Sequence, residues 1–127
     1  MADCQPFDSD AVYSPVGPFS HGSAAGDFVF VSGTGGLNRD GVVVSDDVAA
    51  QARAMMENTE KILAEDGLTF DDVVKTNLYL TNMDDYGTVN DIYAEYMPET
   101  PPARTCVEVS RLPVQERVKI EVIAYEG

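Results

Sequence analysis

Basic side chains are scarce in this sequence: 8 Lys and Arg stand against 22 Asp and Glu, a formal net charge of −14 at pH 7. Backbone phosphates are bound by clustered Lys and Arg, so this shortage opposes a nucleic-acid partner. It equally opposes an anionic membrane surface. No stretch approaches the ~20 apolar residues of a spanning helix. Residues 1–10 hold neither an apolar run nor a basic cluster, so no signal peptide is expected. With one histidine, His21, the chain offers no metal cluster. The two cysteines, Cys4 and Cys106, show no metal-ligand spacing and no CxxC pattern, which fits a reduced, cytoplasmic setting. The glycine-rich Gly33-Thr34-Gly35-Gly36 lacks a following GK[ST] and reads as a tight strand exit rather than a phosphate loop. A nucleophile triad cannot be assembled from His21 and scattered serines.

What is present is enough for one hydrophobic core. At 127 residues, 44% of them hydrophobic, the chain reads as a single globular domain spanning 1–127. The acidic residues are spread along it, with Asp pairs at 46–47, 71–72 and 84–85. Two physical readings cover that excess. Solvated carboxylates keep a small protein soluble, and molar salt, where screening acts within ~3 Å, relieves their mutual repulsion. The second suits a halophilic cytosol.

The apolar pattern predicts strands, helix, strand, helix, strand, strand. Residues 28–32 form a β-rich run between Gly26-Asp27 and Gly33. A turn at 38–41 precedes a second short strand at 42–44. Ser45 is the expected N-cap of a helix in which Val48, Ala52, Met55, Met56, Thr59, Ile62 and Leu63 recur at helical spacing, with Gly67 as its stop. A strand is expected over 73–81. A second helix starts near Asp85, carries Tyr86, Val89, Asn90, Tyr93 and Met97 on one stripe, and ends at Pro98. Strands over 104–110 and 117–125 complete the set, and residues 1–15 read as irregular. Successive right-handed crossovers place both helices on one face of a mixed sheet. The other face stays apolar and uncovered, which predicts an oligomer.

The candidate chemistry lies in Pro101-Pro102-Ala103-Arg104-Thr105-Cys106-Val107-Glu108-Val109. Period two sets Arg104, Cys106 and Glu108 on one face. An arginine at the mouth of a strand suits two-pronged capture of a carboxylate; an interface salt bridge is the plainer role. Cys106 is either a small core residue or a pocket wall with a weak S–H donor. Lys119 and Glu121 share the outer face of the last strand, which patterning alone makes a solvated or interface face.

These residues resemble a known family. GPFSHG at 17–22, VSG at 31–33, VVKTNLYLTNMDDY at 73–86, VNDIY at 89–93, PPARTCVEVSRLP at 101–113 and KIEVIA at 119–124 look like the RidA (YjgF-type) reactive-intermediate deaminases, over about residues 15–125. The resemblance implies an α+β, chorismate-mutase-like fold: a mixed sheet with two helices packed on one face, assembled as a barrel-like homotrimer with a pocket at each subunit interface. It implies hydrolysis of small 2-imino acids or their enamines to 2-keto acids and ammonia, with no cofactor and no metal. By motif, Arg104 would bind the substrate carboxylate, aided by Cys106. Phe19, Ser32 and Gly33 would line the pocket, and Asn90 lies in the matching helix motif.

The sequence departs from that pattern in three places. Phe19 stands where the family has a tyrosine, and Thr34 where a glutamine is common. Lys119 stands where a glutamate holds the attacking water, with Glu121 matching a second glutamate. Lys119 is then either a catalytic group that orders the water or an ordinary partner of an acidic neighbour. Because Lys119→Glu restores the family's water-holding carboxylate, it should raise the rate; a fall would show that Lys119 has a role of its own. Two functions follow: an imine deaminase, or a small-carboxylate-binding regulatory trimer without efficient catalysis. Ribonuclease action or translation inhibition, attributed to some relatives, is opposed by the charge.

Overall fold

A computed structural model describes residues 4–127; residues 1–3, part of the opening expected to be irregular, lie outside the described residues. Six strands form one sheet: β1 (Cys4–Phe7), β2 (Gly22–Ala25), β3 (Phe28–Gly35), β4 (Val73–Leu80), β5 (Ala103–Glu108) and β6 (Val118–Tyr125). Two helices, α1 (Val48–Glu65) and α2 (Tyr86–Tyr96), complete an α+β fold. The strand order is β1-β2-β3-β6-β4-β5. All neighbours are antiparallel except β4 and β5, which run parallel and are joined through α2.

The expected helices form where the periodicity places them. In α1, Val48, Ala52, Met55, Met56, Thr59, Ile62 and Leu63 are buried against β3 and β6. Gly67 adopts a φ of +74°, which stops the helix at little steric cost. The cap is Asp47 rather than Ser45: the Asp47 carboxylate accepts from the Ala50 N–H, while the Ser45 hydroxyl, two residues before the cap, accepts from the Asp47 N–H. Pro98 ends α2 by holding Met97 in extended backbone. Both helices cover one face. Val29, Val31, Leu78, Leu80, Val118, Ile120 and Val122 point into it and are almost fully buried, each stabilising the fold by about 1.5–3 kcal/mol.

Three local expectations give way. Residues 4–7 and 22–25 pair as a hairpin at the sheet edge; Pro6 and the small side chains of β2 hide this from pattern reading, because the pairing is mostly backbone. Residues 42–44 form no strand, only one bridge between Leu37 and Val43. β5 stops at Glu108, short of residue 110. The helix-free face is open in the chain, with Phe28, Phe30, Val107 and Tyr125 each 40–44% exposed. No described helix is long and apolar enough to cross a membrane.

Candidate functional site

The candidate residues fall into two groups on opposite sides of the sheet. On β5, Arg104 pairs in register with Thr76 of β4 and Cys106 with Leu78. Thr76 and Leu78 are buried under the helices, so Arg104 and Cys106 face the helix side. On β6, Lys119 is opposite Tyr79 and Glu121 opposite Asn77. Since side chains alternate along a strand, Lys119 and Glu121 occupy the helix-free face.

Arg104 is held by α2. Its Nη1 donates to Asn90 Oδ1 at 2.8 Å and its Nη2 to the Tyr86 hydroxyl at 2.7 Å. The guanidinium carbon lies 4.8 Å from the Tyr93 ring centroid and 5.5 Å from that of Tyr86, within cation–π range. Tyr93 is fixed in turn, because its hydroxyl shares a 2.9 Å hydrogen bond with Thr76. All these partners are neutral. No carboxylate among the described residues pairs with Arg104. A cavity of about 550 Å³ opens beside it, lined by Asn90, Tyr93, Met97, Pro98, Pro102 and others. Tyr86 and Tyr93 escaped sequence reasoning as arginine supports. They sit with Asn90 on the α2 stripe, and such a stripe reads first as packing. Cys106 is half-buried two residues on. Burial pushes its thiol up while Arg104 pulls it down, so the thiol form is favoured.

The second group surrounds a hollow of about 340 Å³ lined by Phe19, Ser32, Gly33, Lys119 and Glu121. Between Val31 and Thr34 the β3–β6 register shifts, so Ser32 and Gly33 together oppose one residue of β6. This bulge opens the hollow. The Ser32 hydroxyl is spent on the Ser20 carbonyl at 2.6 Å. Glu121 Oε1 accepts from the Tyr79 hydroxyl at 2.5 Å and from Asn77 Nδ2 at 3.1 Å. The hydrogen bond to that carboxylate, more than burial, raises the Tyr79 phenol. Lys119 Nζ donates to Glu116 Oε2 at 3.0 Å. Burial raises the Glu116 carboxyl, and Lys119 opposes that rise. Glu116, Tyr79 and Asn77 were not foreseen as members of this group.

Within one chain, then, Arg104, Asn90 and Cys106 stand together, as do Phe19, Ser32, Gly33 and Lys119, but the sheet separates the two sets. The molecule is a small α+β protein that displays an uncompensated arginine at one sheet edge and a polar hollow on its open face. A family model described as Endoribonuclease L-PSP matches residues 10–126. A RutC family protein of Pyrococcus horikoshii is 42% identical over 113 residues, 88% of this chain and 90% of that protein. A 2-iminobutanoate/2-iminopropanoate deaminase of Salmonella typhimurium is 39% identical over 112 residues, 86% of this chain and 88% of that one. The crystal structure of Escherichia coli TdcF with bound serine superposes with a TM-score of 0.91 at 31% identity, covering 97% of this chain and 99% of that one. The chain belongs to the RidA family, the group that this model describes as endoribonuclease L-PSP.

Proposed function

We propose that the protein hydrolyses small 2-imino acids, or their enamine tautomers, to 2-keto acids and ammonia, working as a homotrimer without a cofactor or metal. The observation that carries this reading is Arg104: a guanidinium aimed by neutral groups and lacking a carboxylate of its own. Such a group suits the carboxylate of a small acid, bound by two parallel N–H···O contacts. The deaminase relative and the serine-bound TdcF structure support that substrate class. Division of the candidate residues between two sides of one sheet supports assembly, because a second copy can bring the hollow of one chain to the Arg104 edge of another. The exposed Phe28, Phe30 and Tyr125 supply apolar area for that contact.

Hydrolysis of an imine asks little of a protein. Water adds readily to C=N, so orientation and charge stabilisation suffice. A second reading, a regulatory trimer that binds small carboxylates without efficient turnover, draws on Phe19, which has no hydroxyl, and on Lys119, whose ammonium is occupied by Glu116. An imine generated in situ separates the two. Release of ammonia and keto acid by the parent, lost in Arg104→Ala, is the expected result. Pyruvate binding without ammonia release supports the regulatory reading.

A further inference from the structure

The exit of β3 is built around two side chains of β6 and the turn before it. A Cβ on Gly33 would lie 3.1 Å from Lys119 Cε, and one on Gly35 would overlap the Glu116 carboxylate. These two glycines of Gly33-Thr34-Gly35-Gly36 thus leave room for the lysine stem and for the carboxylate it meets. The Glu116 side chain is 1% exposed and that of Lys119 is 21%. Glu116 Oε2 takes the lysine, whereas Oε1 is buried without a partner. A buried carboxylate with one oxygen left unsatisfied is costly, and such an atom in a folded protein calls for a reason. Glu116 is delivered by a short 3-10 turn, Pro113–Gln115, in which Val114 and Gln115 adopt φ of 49° and 63°. Left-handed backbone at a β-branched valine is strained, so the surrounding structure must hold the turn in place. Lys119 lines the open-face hollow, and Glu116 borders a separate cavity of about 720 Å³ formed by Thr81 and residues 110–117.

We propose that Glu116 and Lys119 form one proton-holding unit, in which Lys119 exchanges a proton with the reacting molecule in the hollow and Glu116 is the positioning residue that aims Lys119 and shares its proton. This rests on the imine-hydrolase reading. The unit holds one labile proton as ammonium–carboxylate or as amine–carboxylic acid, with the same net charge. In the amine form, Lys119 takes a proton from water as the water oxygen bonds to the imine carbon and the C=N π pair moves to nitrogen. The unit then returns a proton to that nitrogen. The unit lends the nitrogen a second proton as the C–N bond breaks, so that the bonding pair leaves on ammonia, and the remaining hydroxyl proton passes to the unit as the carbonyl forms, restoring the proton count of the unit. Imine and water become ketone and ammonia, with no further reactant. The unit takes the place of a water-holding carboxylate at the Lys119 position.

The other titratable or charged groups around the pair are Tyr13 of the N-terminal arm, whose hydroxyl accepts from the Gly35 N–H, Glu121 beside Lys119, Tyr79 opposite it on β4, and Arg117, which is paired to Asp85. Steady-state kinetics of imine hydrolysis across pH test the proposal in the full-length protein. Glu116→Gln, which keeps the shape, should lower kcat about tenfold to a hundredfold with KM unchanged and remove one limb of the pH–rate profile. Lys119→Met should lose as much, and the double variant no more than either single change. Parental kinetics and pH profile in Glu116→Gln, or additive losses in the double variant, overturn the proposal. Carboxyl ¹³C NMR of the unaltered protein gives a readout independent of turnover. The Glu116 resonance should titrate above the ordinary carboxyl range and shift on saturation with pyruvate; an unmoved titration overturns the pair's role. A parent that binds pyruvate but releases no ammonia defeats the hydrolase reading, and with it the catalytic proposal, even where the NMR coupling is found.

Discussion

The two cations at the candidate site are opposites in their surroundings. Arg104 is cradled by a tyrosine hydroxyl, an amide oxygen and two aromatic faces, all neutral, so its charge is oriented but left uncompensated. Lys119 lies along a glycine and ends on a buried carboxylate, so its charge is neutralised within the chain. An uncompensated, rigid guanidinium is suited to receive an anion. A compensated ammonium attracts no anion, and its pairing suits proton exchange. Position on the strand does not make this difference: both residues sit at strand ends with period-two neighbours. What neighbouring elements present to each side chain does.

The largest effect is expected where the charge is uncompensated. Arg104→Lys keeps the charge but loses the planar fork and should weaken pyruvate binding about 10- to 100-fold by calorimetry, the equivalent of one charge-assisted hydrogen bond. Next comes Lys119→Glu. The sequence alone predicts a faster enzyme from this change, but Glu116 reverses the expected sign. The substitution sets a second carboxylate against a buried one, raising the carboxyl further. We expect kcat to fall about tenfold and stability to drop. A rate above the parent's would show that the Glu116 contact is incidental and erase the contrast between the two sites.

Linkage sharpens the comparison further. Because folding raises the Glu116 carboxyl, its contribution is fully present below the ordinary carboxyl range of about 4.3 and is lost as pH rises through the higher folded value. Lys119 limits that loss. Melting temperatures should therefore decline more steeply with rising pH across this window in Lys119→Met than in the parent, and Glu116→Gln should flatten the decline. Arg104→Ala should leave the slope unchanged. A smaller effect is expected for Tyr86→Phe, which removes one acceptor from Arg104 but keeps the ring: about fivefold weaker pyruvate binding, with stability unaltered. Smallest per step is the response to salt. With −14 on each chain, the proposed trimer and its melting temperature should strengthen gradually between 0.01 and 1 M salt, as screening shortens from ~30 Å to ~3 Å. Light scattering that finds a monomer at every concentration rejects the trimer, and melting temperatures that fall with salt reject the charge argument.

Much of the fold was legible because it is written in periodicity. α1, α2, β3, β4 and β6 carry strong apolar patterns, and all appear within a few residues of their expected bounds. The hairpin of β1 and β2 was illegible because its side chains are small or exposed and its pairing is between backbones. The site was legible as a roster and hidden as an arrangement. Period two set Arg104 and Cys106 on one face of β5, but the more apolar Thr105 and Val107 face looks like the buried side, and the structure leaves it open. Only the register with β4 reveals that Arg104 faces the helices. Glu116 gave no signal, since it follows an irregular turn with left-handed backbone, where no periodicity links it to Lys119.

The position of β6 carries one more consequence. This strand, the last of the six along the chain, lies in the middle of the sheet between β3 and β4. On a ribosome, β3 and β4 emerge long before the strand that joins them, and α1 cannot seal its apolar stripe against a sheet whose centre is missing. Contacts so distant in sequence slow folding. The nascent chain therefore waits with two unpaired strand edges exposed until β6 arrives, the interval in which off-pathway pairing with neighbouring chains is easiest. The dense negative charge that repels one copy from another protects the chain during that wait.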